Sequence, residues 1–188
     1  MGEEITEERV DRWLTELSRY LAENNALKLK DLSNHLIEQA VTTKDKRVVD
    51  MSLIAYGLSK LASKPHLVET KKWSQFKAHV LKHLAEEIKK PATKEHLGKI
   101  LKCVVKDVTD FDKEAGRYMI DIIQKARIKQ ASRVYAMGVS LSKAAEVTGA
   151  DERELLRYIG TTKIHDQPYT KTRSVAERYN TVKKAFGE

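Results

Sequence analysis

Three groups of basic side chains toward the C-terminal end carry the chemistry that this sequence offers. Lys125, Lys129 and Arg133 recur every four residues, so a helix there aligns them as one basic stripe. Arg153 and Arg157 repeat the same spacing, with Tyr158 beside them, and Lys163, Lys171 and Arg173 follow in a stretch of turn formers, TTKIHDQPYTKTR. Guanidinium and ammonium groups donate charge-assisted hydrogen bonds to phosphate and carboxylate oxygens, so the chemistry in question is anion binding, not bond breaking. Each group also has a plainer reading. The stripe could be a solvated helix face, and the tail a linker pinned to the rest of the chain by Ile164 and Tyr169.

The elements that must position these cations centre on Ser140–Gly160, SLSKAAEVTGADERELLRYIG. Ser140 is a natural N-cap for a first short helix, with Ala144, Ala145 and Val147 as its apolar contacts. Gly149 ends that helix where a left-handed residue is needed. Asp151 caps a second helix, Glu154 stands three residues on as in a capping box, and Leu155, Leu156 and Ile159 form the inward face, with Gly160 as the stop. Small Ala145 before the turn glycine lets the two helices cross closely and steeply.

The AAEVTG block and the capped DERELLRYI helix resemble the helix-turn-helix family of nucleic-acid-binding domains, over about the last third of the chain. The resemblance implies that the second helix reads a major groove, which places Arg153, Arg157 and Tyr158 at the nucleic acid. It favours DNA over RNA, without excluding the latter. Glu152 and Glu154 depart from the pattern, because acidic groups at the start of that helix repel a phosphate backbone. A helix pair with an Ala/Gly crossing can equally be a scaffold that docks another protein.

Other chemistry is missing. There is no Gly-rich phosphate loop, nucleophile elbow, zinc-finger spacing or dinucleotide fingerprint, so an enzyme is not expected and no cofactor is implied. His165 and Asp166 are adjacent, so their side chains diverge and make no acid–base relay. His79 and His83 are four apart and share a helical face, but no carboxylate or cysteine completes a ligand set at a recognisable spacing, so no metal is expected there.

Composition sets the frame. Eight Gly and three Pro in 188 residues, with 33% charged residues, describe an all-α chain of helices joined by short polar connectors. The net charge of +8 favours a polyanionic partner, although Lys/Glu-rich surfaces also build ion-pair networks. The single cysteine, Cys103, lies in the apolar run ILKCVV and is expected to be buried and reduced. The acidic N-terminus, MGEEITEERV, is unlike a signal sequence, and no apolar run is long enough to span a membrane, so a cytoplasmic protein is expected.

Apolar steps of three and four residues place helices in order. The first carries Val10, Trp13, Leu14, Leu17, Tyr20 and Leu21, and is capped by Thr6. Next come Leu27–Ala40, then Asp45–Ala62 as the central helix, then Glu69–Lys89 with Trp73, Phe76, Val80, Leu84 and Ile88 inward. A helix capped by Thr93 and ending near Thr109 follows, and then one from Lys113 to Met137 with Met119, Ile122, Ile123, Ala126 and Val134 inward. Ser174–Glu177 opens a last helix to about Phe186. The expected organisation is a helical bundle over residues 1–111, which oligomerises or binds a partner, and a helix-turn-helix-like domain with a basic tail over residues 112–188.

Overall fold

The structure is a computed structural model that describes residues 5–43, 45–88, 94–114 and 122–162. Helix is the only regular structure among them, and the chain is all-α. The helices are α1 (Glu7–Ala22), α2 (Ala26–Thr43), α3 (Lys46–Ala62), α4 (Pro65–Val68), α5 (Lys71–Ile88), α6 (Lys94–Glu114), α7 (Ile122–Ala136), α8 (Leu141–Thr148) and α9 (Glu152–Thr161). None of them is long and apolar enough to cross a membrane.

The hydrophobic pattern of VVDMSLIAYGLSKLA has no polar side, and α3 accordingly sits at the centre with almost every residue from Arg47 to Leu61 buried. It packs on α1, α2, α4, α6, α7 and α8. Gly57 permits the close approach of α6, since a Cβ there would stand 3.3 Å from Val108 Cγ1. The α2–α3 seam carries a buried polar exchange: Ser33 Oγ donates to the Ser52 carbonyl and Ser52 Oγ to the Ser33 carbonyl, both at 2.8 Å. Gln130 of α7 donates through Nε2 to Ser33 Oγ at 2.7 Å, which fixes where α7 lies on the bundle. Trp73, Phe76 and Phe111 form an aromatic cluster between α5 and α6, the two phenylalanines stacked at 4.4 Å. Trp73 Nε1 also donates to Asn24 Oδ1 at 3.0 Å, holding the α1–α2 turn in which Asn24 has φ +52°.

The local devices around Ser140–Asp151 form as their residue types dictate. Ser140 Oγ accepts from Lys143 N, Gly149 is left-handed at φ +68°, and the Gly149 and Ala150 N–H groups both donate to the Ala145 carbonyl. Asp151 Oδ1 accepts from Glu154 N at 2.8 Å, satisfying one otherwise unpaired donor of α9. Asp151→Ala is therefore expected to cost about 1 kcal/mol. Thermal unfolding followed by circular dichroism should show a Tm lower by roughly 2–4 °C.

Several expectations are corrected. Leu156 is 60% exposed: α7 covers only the strip of α9 carrying Leu155 and Ile159, and Leu156 lies about 100° round from Leu155. Gly160 is helical, and α9 closes at extended Thr162, where the Thr161 and Thr162 hydroxyls donate to the Tyr158 carbonyl. Cys103 is exposed, because Leu101, Val104 and Val108 define the buried side of α6 and position 103 falls opposite. The same apolar step continues to Phe111, carrying α6 past Thr109 to Glu114. Thr6 stands at the N-cap of α1 without a side-chain bond. Of the expected Lys113–Met137 helix, the described residues show Lys113 and Glu114 at the end of α6 and Ile122–Ala136 as α7, and residues 115–121 lie outside them. Met119, Thr93 and the Ser174–Phe186 helix lie outside the described residues.

Candidate nucleic-acid interface

Helices α7, α8 and α9 pack on one another in all three pairings, so the cations of α7 and α9 are held by one small array. Its core is Ala126, Val134, Ala144, Ala145, Leu155 and Ile159, all buried. Ser142 Oγ donates to Glu152 Oε1 at 2.8 Å, joining the start of α8 to the start of α9. Glu152 is thereby occupied within the array.

Lys125 and Arg157 line one hollow between α7 and α9, together with Gln124, Ile128, Glu154 and Tyr158. Arg153 is exposed one turn before Arg157. Lys129 Nζ donates to Tyr158 Oη at 3.2 Å and lies 5.7 Å from the centre of that ring. Arg133 is drawn away from the stripe: its Nε donates to Glu38 Oε1 of α2 at 3.2 Å, in an ion pair on the bundle. Lys163, Lys171 and Arg173 lie outside the described residues.

The bundle adds cations that the sequence reading did not associate with this region. The Lys60 ammonium is held below its ordinary range, first by burial and then by repulsion from Lys30, Lys129 and Lys64. Lys60 Nζ lies 5.3 Å from the Tyr56 ring centre. Burial, and then the neighbouring Tyr158, raises the Tyr56 hydroxyl pKa. Lysines of α2, α3 and α7 and the loop after α3 thus lie close enough to repel Lys60, and Lys129 among them touches Tyr158 of α9. Only tertiary packing assembles them, since Lys30 and Lys129 are ninety-nine positions apart.

A second hollow, of about 320 Å³, lies where α3, α7 and α8 meet. Asp50, Arg127, Lys143 and Thr148 line it, and the Arg127 side chain runs beside Gly149. Arg127 Nε is buried without a hydrogen-bond partner among the described residues. Burial holds the Asp50 carboxyl above its ordinary range, outweighing the opposite pull of Lys46, Arg127 and Lys102. A carboxyl with a higher pKa in the folded than in the unfolded chain binds its proton better when folded. Its stabilisation is complete below the unfolded pKa and is lost as pH rises through the folded one. Asp50→Asn, which fixes a neutral side chain, is expected to raise Tm at about pH 7 and to leave it unchanged at about pH 3. Thermal melts of both chains at the two pH values check this.

No protein-family model matches the chain, no curated protein matches it, and no solved structure matches it.

Proposed function

We propose that this is a non-enzymatic nucleic-acid-binding protein, DNA favoured over RNA, that presents α9 and the adjoining lysines of α7, α3 and α2 to a phosphate backbone. The single observation that carries the reading is the mutual repulsion of Lys60 with Lys30, Lys129 and Lys64, drawn from three helices and a loop, with Lys129 itself bonded to Tyr158 of α9. Like charges brought together oppose folding, and a polyanion laid across them converts that repulsion into attraction with release of its own counterions. The capped α8–turn–α9 pair supports a helix-turn-helix use of α9, with Arg153 and Arg157 reaching bases and Lys125 and Lys129 contacting phosphates. A regulatory role fits such an arrangement, with the bundle as support or partner-binding unit.

A second reading has its own observation. Leu156 is exposed between Arg153 and Arg157, and an apolar side chain at that place suits docking onto another protein. Fluorescence anisotropy with labelled duplex DNA, single-stranded DNA and duplex RNA separates the two. The nucleic-acid reading expects saturable binding at low salt, strongest for duplex DNA. Failure to bind any of the three would leave the docking scaffold.

A further inference from the structure

His79 and His83 stand one turn apart on α5, and their Nε2 atoms are 3.2 Å from each other. The sequence offered no carboxylate to complete the pair. The fold supplies one from the next helix: Asp107 Oδ2 of α6 lies 3.6 Å from His79 Nε2 and 3.8 Å from His83 Nε2. We propose that these three side chains form a binding site for a divalent transition-metal ion of the zinc class, bridging α5 and α6.

Three features carry the inference. The first is spacing. A tetrahedral ion with ligands at about 2.0–2.1 Å holds its ligand atoms roughly 3.3–3.4 Å apart, and the three separations fall within about half an ångström of that. The second is the state of the carboxylate. Asp107 Oδ2 is buried and has no hydrogen-bond partner among the described residues, although two imidazoles face it from just beyond hydrogen-bond reach. A buried carboxylate oxygen without a donor is costly, and a cation between the three groups would satisfy it. The third is support. Phe76, one turn before His79, stacks on Phe111, one turn after Asp107, so the two ligand-bearing helices are locked together beside the site. Two neutral imidazoles and one carboxylate leave a divalent ion with one net positive charge and an open fourth position. The His79 side chain is 57% exposed, which gives the ion a route in and places that fourth position toward solvent. Nitrogen and oxygen donors in this number suit Zn²⁺, and Co²⁺ can replace it as a spectroscopic probe.

The test uses the full chain with any affinity tag removed and metal stripped by a chelator, titrated with Zn²⁺ by calorimetry and with Co²⁺ by visible absorption. One ion per chain is expected, with the ligand-field absorption of four-coordinate Co²⁺. His83→Ala and Asp107→Asn should each weaken Zn²⁺ binding at least tenfold. His79→Ala, at an exposed position, gives the same readout should either of the other variants fail to fold. Bound Zn²⁺ should raise the Tm of the parent chain and not of these variants, because the ion stabilises only the state that holds α5 against α6. His66→Ala should bind as the parent does. Absence of Zn²⁺ binding at micromolar concentrations would overturn the site. So would binding that ignores all three substitutions and follows the exposed thiol of Cys103 instead.

Discussion

Replacing Arg153 and Arg157 together with alanine is expected to weaken binding to duplex DNA by about 2–4 kcal/mol and to relax its sequence preference. Both side chains are exposed on one face of α9, so their removal should leave thermal stability nearly unchanged. Lys125→Ala should behave differently. A phosphate contact carries no sequence information, so its loss weakens all sequences alike and lowers the salt slope by about one unit. Arg133→Ala is the internal control, since its guanidinium is already paired with Glu38. Anisotropy titrations on a panel of duplexes separate these outcomes. A folded double-arginine variant with unchanged affinity and selectivity would remove α9 from the interface and move the helix pair to the scaffold reading.

The largest effect on stability is expected at the centre of α3. Ile54 is fully buried on the helix that packs against six others, and Ile54→Ala should cost about 2–5 kcal/mol through lost burial and the cavity left behind. For a chain of this length each kcal/mol shifts Tm by about 2–4 °C, so melting should fall well below that of the parent. Leu156→Ala should change stability by no more than about 0.5 kcal/mol, because Leu156 is mostly exposed. Chemical denaturation of the two variants checks the contrast. Equal losses would mean that α3 is not the central helix.

What could be read from the sequence was local. Leu14, Leu17 and Leu21, or Trp73, Phe76, Val80 and Leu84, announce their helices because each element repeats its buried residues at its own period. Ser140, Gly149 and Asp151 announce a turn because each performs a task set by its own backbone and side chain. Errors arose where neighbours decide. Leu156 and Leu155 are adjacent and equally apolar, and only the width of α7 settles which is covered. Cys103 sits in an apolar run whose buried side is fixed by Leu101, Val104 and Val108. The functional geometry was harder still. Asp107 is twenty-four positions beyond His83, Glu38 ninety-five before Arg133, and Lys60 sixty-nine before Lys129, so no spacing rule brings them together. In each case the partner is supplied by another helix.

The most direct measurement is the salt dependence of duplex DNA binding by the unmodified chain. Lys125, Lys129, Lys30, Lys60 and Lys64 provide five candidate phosphate contacts, and each neutralised phosphate contributes about −0.9 to the slope of log K against log salt concentration. A linear plot with a slope of roughly −4 to −5 is the expected result. A slope near zero, or no measurable binding at the lowest salt, would contradict a phosphate-binding face on this protein.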